Sequence, residues 1–433
     1  MLAAVALSAG GLLAGTVVAP AAVAKSSKSP IEIGFDLTGN AGSNQSSTAS
    51  AGVSAYSSGK PFAQALTKWV NAHGGLGGRP IKPVYYAHNF TSPTDFQSLC
   101  TTYFQNNHVF AVIPFATSDS EYPCFKENNA VLIGANYGTR SDITPYAPNI
   151  WLPDAMPADV YVRNYAIDVV NSHWIKKGAK VGMIYSNNAD IASAVQKYVI
   201  PYLKSHGVKL TDTAEAVQIL DVASFQDAQV PTKNAVLRFK SEGITQVLIP
   251  AWGEYNLLIW LRDAGPQNYY PAMAFGDGVV PGRNVKQEAL LASFPTKLYN
   301  GSMLVTTGTG AEVNRPIYQT TRNCRAIFAS EGVSLPLVPS SSDSSSPMAY
   351  SDCQNVLFLK QVMAGGKVDS PKSFKKAADA LGTKIEDEYS GAPGLYLNSS
   401  SPYFGEHDTI DYAYHSDCTC FEVSRGFHKV VGY

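Results

Sequence analysis

No long basic block occurs anywhere in the 433 residues, and the formal net charge is −1 at neutral pH. The electrostatic footprint of a nucleic-acid-binding protein is therefore absent. The chain has no G-x-S-x-G elbow, no H-E-x-x-H helix and no P-loop, so the commonest hydrolase and nucleotide-binding signatures are missing. It also lacks a long uninterrupted apolar run: Leu2 to Pro20 is too short and too broken by glycine to make a good membrane anchor. Charged residues are scarce at 15%, but 45% hydrophobic content is ordinary for a globular protein and enough for two cored domains.

The apolar start instead resembles a leader. Ala22-Val23-Ala24 before Lys25 has the A-x-A form of a signal-peptidase site, so residues 1–24 are expected to be a signal peptide and the mature chain to be secreted or to sit on the outer side of the cell envelope. No cysteine follows that site, so no lipid anchor is encoded there. Six cysteines in an exported chain point to disulfides rather than to metal or nucleophile chemistry. Cys100 lies on an apolar helix face with Phe96, Leu99, Tyr103 and Phe104, and Cys124 opens the next helix, so these two are expected to pair. Cys324 and Cys353 sit on two later helices that a bridge could join. Cys418 and Cys420, two apart in a strand-like tail, would be strained as a mutual pair. Fifteen connectivities exist for six cysteines, and the sequence does not choose among them.

The clearest local signal is a strand, helix, strand unit at the start of the mature chain. Ile31 to Phe35 is followed by a helix in which Phe62, Leu66, Trp69 and Val70 form one apolar stripe while Gln64, Thr67, Lys68 and Asn71 face away. Gly74-Gly75-Leu76-Gly77-Gly78 then supplies a left-handed helix end and a tight turn into a parallel strand, Ile81 to Tyr86. These glycines follow a helix and open a strand, the reverse of a dinucleotide fingerprint, so a phosphate cradle fails on context. Strand and helix patterns continue to alternate through Ile133, restart beyond Trp151, and run to the strand Ala272 to Phe275. One sheet of about ten parallel strands would be unusually wide, so two doubly wound sheets are expected. Gly301 to Thr306 reads as a further strand, with helices after it. The serine-rich stretch Pro339 to Pro347 reads as a surface loop.

The opening unit, with its Asn71-Ala72-x-Gly74-Gly75-x-x-Gly78-Arg79 helix end, resembles the type I periplasmic solute-binding proteins, the leucine/isoleucine/valine-binding group that serves ABC transporters. The resemblance implies an α/β chain of two doubly wound, Rossmann-like lobes joined by a hinge, each lobe discontinuous. Lobe 1 would hold 31–155 plus 303–390 and lobe 2 would hold 156–302 plus 391–433. It also adds a bridge at the place of Cys100 and Cys124. The implied function is capture of a small, amino-acid-like solute and its delivery to a membrane permease, by a monomer without cofactor or catalysis.

In open parallel sheets ligands bind beyond the carboxyl ends of the strands, which selects the loops 36–58, 114–120, 134–140, 186–190, 251–255 and 276–278. Thr117 and Ser118 precede a helix and could hold a carboxylate, or simply cap that helix. Asn136 and Tyr137 follow the next strand and are similar in place to the family's second carboxylate-gripping loop, although its usual Ala-x-Thr arrangement is not reproduced. Trp252, Glu254 and Tyr255 follow the strand Gln246 to Ile249. Asp277 follows Phe275, where the resemblance implies a contact to an α-ammonium group, although an aspartate between two glycines is equally a turn signal. Tyr56 is a further candidate wall, placed near the aromatic that the resemblance implies for the first loop. His407, Asp408, His415, Asp417, Cys418, Cys420 and His428 crowd the C-terminus, but no zinc spacing connects them, and strand with disulfide is the preferred reading. Two other functions remain open on sequence alone: a sensor subunit using the same fold, and an enzyme built on that C-terminal cluster.

Overall fold

Side chains along each central strand alternate between two cores, and this period of two explains the architecture. The computed structural model describes residues 28–37, 59–88, 94–114, 121–134, 138–153, 156–217, 222–250, 254–276, 294–307, 319–336, 345–381 and 408–429. The proposed leader lies outside them.

The described strands form two sheets. The first holds β1 (Ile31–Leu37), β2 (Ile81–Ala87), β3 (Ala111–Ile113), β4 (Val131–Ile133) and β5 (Ile150–Trp151), in the order β2-β1-β3-β4-β5 with every pair parallel. The second holds β6 (Val181–Ser186), β7 (Leu210–Ala216), β8 (Gln246–Ile249), β9 (Ala272–Phe275) and β10 (Met303–Thr306) in the parallel order β7-β6-β8-β9-β10. An antiparallel hairpin, β11 (Asp408–His415) and β12 (Cys420–Lys429), extends it beyond β10.

On the first sheet, Ile31, Ile33, Phe35, Ala111, Ile113, Val131 and Ile133 face one core, while Val112 and Leu132 face the other. The first core is roofed by α1 (Lys60–Ala72), which buries Phe62, Leu66 and Val70, and by three helices from much later in the chain, α10 (Gln319–Ser330), α11 (Ser345–Ala364) and α12 (Pro371–Leu381). The opposite face is covered by α2 (Asp95–Cys100), α3 (Tyr122–Glu127) and α4 (Arg140–Ile143). Between α10–α12 and the following hairpin the chain changes partners, so this layer contains two separate stretches of sequence.

On the second sheet, α5 (Ala158–Asn171), α6 (Ala189–Ala194) and α7 (Ile200–Ser205) cover one face, with Tyr165, Val169, Val195 and Leu203 buried against Met183, Leu248 and Ala274. The other face carries α8 (Val222–Glu242) and α9 (Glu254–Ala264), whose Phe239 and Trp260 meet Val247, Ile249 and Phe275. Strands covered on both faces read as near-continuous apolar runs, as β6, β8, β9 and β10 do.

The glycine turn after α1 acts as a backbone device. The Gly75 N–H donates to the Val70 carbonyl at 2.8 Å, closing the helix, and Gly75 has φ +66°. A Cβ there would fall 2.2 Å from the Arg79 carbonyl oxygen, so no other residue fits. Leu76, at the turn's centre, drops into the first core.

Four expectations need correction. Met303–Thr306 pairs with β9 and β11, so it belongs to the second sheet, and the chain leaves that layer after Thr306 rather than before Met303. Its partner β11 lies about a hundred residues downstream, a pairing that local periodicity cannot show. The helix expected from Phe96 to Asn107 is α2 followed by a π turn, Thr101–Gln105, in which Tyr103 is fully buried. The last three residues of the serine-rich stretch, 345–347, open α11, where a proline in the first turn is tolerated; residues 339–344 lie outside the described ones.

The fourth correction concerns the cysteines. Cys100 is bonded to Cys124 and Cys324 to Cys353, with Cα separations of 6.3 and 5.9 Å. Cys418 and Cys420 are bonded to each other, which the sequence reading disfavoured. The reason is the turn between β11 and β12: Thr419 adopts φ +53°, and the two Cα atoms come to 5.2 Å, inside the usual disulfide range. Replacing both Cys418 and Cys420 by serine is expected to cost only about 1–2 kcal/mol, because so short a loop removes little entropy from the unfolded chain. Urea unfolding of the double variant would measure it.

Candidate functional site

The five parallel strands of each sheet share one order, and in both the winding reverses beside the first strand of the layer: between β1 and β3, and between β6 and β8. At such a switch point the two loops leave in opposite directions and open a crevice at the carboxyl edge of the sheet. Four chain ends are thereby selected. They are Leu37 at the end of β1, Pro114 after β3, Ser186 at the end of β6 with Asn187 to Asp190 after it, and Pro250 after β8.

The β1 end is anchored by a buried ionic network. Asp36, near the end of β1, accepts a hydrogen bond from the Tyr103 hydroxyl at 2.5 Å and lies 3.3 Å from Nε2 of His88, the first residue after β2. The other ring nitrogen of His88, Nδ1, is 2.6 Å from Asp95, which also accepts from the Tyr86 hydroxyl at 2.6 Å. A histidine with a carboxylate at each nitrogen must donate from both, so His88 is an imidazolium. Burial opposes that charge, but the hydrogen bonds and negative charges of Asp36 and Asp95 outweigh it and push the imidazole up to about 9. Burial, with Asp95 beside it, also raises the Tyr86 phenol, and burial with Asp36 raises Tyr103, so both hydroxyls remain donors. His88 is only 1% exposed and both its nitrogens are engaged. It is placed to hold the root of two edge loops, with no free nitrogen to act as a base.

Two tyrosines of α5 organise the second edge. The Tyr165 hydroxyl donates to the Ala274 carbonyl at 2.7 Å and accepts from the Ile249 N–H at 3.0 Å, joining β9 to β8 just before their loops begin. Tyr161 donates to the Val305 carbonyl at 2.7 Å. Gly276 passes so close to this corner that a Cβ would sit 2.0 Å from the Pro250 carbonyl oxygen and 2.8 Å from the Tyr161 hydroxyl. After β6, Asn188 caps α6 by accepting from the Asp190 and Ile191 N–H groups. Between the layers, Arg140 of α4 pairs with Asp159 of α5 at 2.8 Å, and the Ala158 N–H donates to the Gly138 carbonyl at 3.1 Å.

Elsewhere, a second buried polar group joins Asp168 of α5 to Thr409, Asp411 and His428 of the hairpin. Burial, with the neighbouring Asp168 charge, pushes the Asp411 carboxyl up to about 7. A cavity of about 380 Å³ opens at the amino edge of the first sheet, lined by Glu32, Arg79, Lys82, His108 and Asp369 among others. It lies at the wrong strand ends for a switch-point ligand.

No protein-family model and no curated protein matches the sequence. Solved structures do match in shape. A fatty acid ABC transporter substrate-binding protein from Thermomonospora curvata aligns with TM-score 0.61 at 16% identity, over 93% of this chain and 92% of its own. A branched-chain amino acid transporter substrate-binding protein from Streptococcus pneumoniae, in complex with isoleucine, gives 0.60 at 15% identity over 92% and 99%. A branched-chain amino acid ABC transporter protein from Thermus thermophilus with bound valine gives 0.62 at 12% identity over 93% and 97%. The chain has the type I periplasmic binding protein fold.

In this type I fold, most of the residues expected to bind fall between the described segments. Tyr56, Thr117, Ser118, Asn136, Tyr137, Trp252 and Asp277 lie outside the described residues, and Glu254 and Tyr255 are described only as the opening backbone of α9. The loops that hold Tyr56, Thr117, Ser118 and Trp252 are those that leave the switch points. Sequence reasoning named the loop 186–190 but missed the Asp36–His88–Asp95 network altogether. A signal for it existed: Asp36 interrupts the apolar strand Ile31-Glu32-Ile33-Gly34-Phe35-Asp36-Leu37, where an unpaired carboxylate would be costly. Among the described residues no helix is long and apolar enough to cross a membrane.

Proposed function

We propose that this protein captures a small solute in the crevice between two lobes and hands it to an ABC-type permease in the membrane, without making or breaking a bond. One lobe would comprise the first sheet with α10–α12, the other the second sheet with its C-terminal hairpin, and the exported protein would work outside the cell membrane. The observation that carries this reading is the matched pair of switch points on two parallel sheets of one chain, in a fold whose named neighbours are substrate-binding proteins. The rigid roots support it: His88 holds the β1 and β2 ends, and Tyr165 holds the β8 and β9 ends.

The proposed ligand is amino-acid-like. Its carboxylate would meet Thr117, Ser118 and the backbone around Asn136 and Tyr137, its ammonium Asp277, and its side chain an aromatic wall from Tyr56, Trp252 and Tyr255, with Glu254 at the rim. Charge-assisted bonds of this kind strengthen as the crevice closes and water leaves. Closure is populated only as far as these contacts favour it.

The protein is unfolded and refolded to strip carried-over solute, then scanned by thermal shift and calorimetry against the amino acids, with fatty acids as a second panel. At a hundredfold excess over Kd, a true ligand is expected to add about 2.7 kcal/mol of stability. Stabilisation by no amino acid sinks that assignment, and stabilisation by a fatty acid moves the ligand class while keeping the solute-capture reading.

A further inference from the structure

We propose that Asp168, Asp411 and His428 form a binding site for one divalent transition-metal ion of the Zn²⁺ type, which fastens the C-terminal hairpin to α5. The three residues come from three rigid elements: Asp168 from α5, Asp411 from β11 and His428 from β12. One ligand atom from each lies within 4.8 Å of the other two. Along β11, Ile410, Tyr412 and Tyr414 enter the core under α8 and α9, so the alternating residues Thr409 and Asp411 face α5.

Asp411 carries the argument. It is fully buried, and neither carboxyl oxygen has a hydrogen-bond partner. A buried carboxyl group without partners is costly in either protonation state, because the acid form still needs an acceptor for its own O–H. A cation between the two aspartates removes that cost.

The surrounding groups are arranged as outer-shell partners of a metal site usually are. Nδ1 of His428 is 2.9 Å from the Gly426 carbonyl, which can only accept, so Nδ1 donates and Nε2 turns inward. Nε2 is 2.7 Å from Asp168 Oδ1 and donates to it in the metal-free chain, so a bound ion would take the place of that proton. Thr409, the cross-strand partner of His428, donates to the other Asp168 oxygen at 2.7 Å and fixes that carboxylate. Arg425 approaches Asp168 at 3.4 Å on a half-exposed side chain and can swing outward when a metal takes its place. One imidazole nitrogen and two carboxylates suit Zn²⁺, whereas Ca²⁺ and Mg²⁺ demand six or more oxygens. Sequence spacing could not show this, since Asp168 stands 243 positions before Asp411. The cysteines that once made the C-terminus look metal-binding are tied up in the Cys418–Cys420 bridge.

The test uses the full, oxidised chain, dialysed against a chelator and titrated with Zn²⁺ by calorimetry and with Co²⁺ by visible absorption. Expected are one equivalent per chain, a rise in Tm, a Co²⁺ spectrum of histidine ligation, and no comparable response to Ca²⁺ or Mg²⁺. His428→Gln and Asp411→Asn should each weaken Zn²⁺ by about 100-fold or more, at or beyond the loss seen when an outer-shell partner is removed. Asp411→Asn guards against misfolding as an explanation, because the metal-free variant should be at least as stable as the parent. No stoichiometric Zn²⁺, or undiminished Zn²⁺ in both variants, overturns the site. Neither readout requires the transported solute, so failure here leaves solute capture standing.

Discussion

Asp36→Ala is expected to destabilise the protein by about 3–5 kcal/mol, the range for removing one partner of a buried ion pair. The side chains of Asp36 and His88 are both fully buried. Alanine would leave the His88 imidazolium with Asp95 alone and the buried Tyr103 hydroxyl without its acceptor. Asp36→Asn keeps an acceptor but not the charge, so its loss should fall between the parent and alanine. Urea unfolding at fixed pH ranks the three. The network also predicts how stability varies with pH. His88 is raised in the folded state from an ordinary 6.5 to about 9, so between those values the native chain holds a proton that the unfolded chain releases. This contribution is complete below about pH 6.5 and disappears as pH rises through about 9, a fall of about 3 kcal/mol. In Asp36→Ala the fall should shrink, because one of the two carboxylates that hold the proton is gone. A parent protein equally stable at pH 6.5 and 9 would refute the imidazolium assignment.

The same residues show what a sequence discloses and what it hides. The opening strand, helix and strand were legible because their stripe and glycine turn are local, and the structure runs β1, α1 and β2 within a few residues of those bounds. Most later elements were legible for the same reason, since strands buried on both faces carry apolar runs that helices interrupt. Pairing was not legible. β10 was recognised as a strand, yet its sheet depends on β11, whose residues pair with it from more than a hundred positions away. Buried polar networks fail for a related reason: Asp36 meets His88 across 52 residues and Tyr103 across 67, and no motif links such spacings. What the sequence did contain was an anomaly at each. Asp36 in β1 and Asp411 between Ile410 and Tyr412 are carboxylates buried in strands; Asp36 is met by Tyr103 and His88, while the Asp411 oxygens have no hydrogen-bond partner. The turn at Thr419 was missed because a strand was assumed to continue through Cys418, and a left-handed residue reverses the chain instead.

Tyr165→Phe removes one oxygen atom, and a loss of about 1–3 kcal/mol is expected, because two buried hydrogen bonds of the hydroxyl disappear while the ladder between β8 and β9 keeps its own. The Tyr165 hydroxyl is fully buried, and it serves the Ala274 carbonyl and the Ile249 N–H at once. Phenylalanine fills the same volume, so no cavity confuses the measurement. The Ile249 amide should then exchange with solvent faster than its neighbours in β8, which separates loss of this bond from general loosening. Under the proposed solute capture, binding should suffer beyond stability, because Pro250 and Gly276, the residues that follow β8 and β9, pass each other with no room for a Cβ at Gly276. Ligand affinity measured well below the melting temperature is therefore expected to fall as well. A variant that loses stability but binds the identified solute unchanged would show that the β8 and β9 ends do not shape the crevice. A variant that loses less than about 1 kcal/mol would show that water replaces the hydroxyl, and that this corner of the sheet is open to solvent.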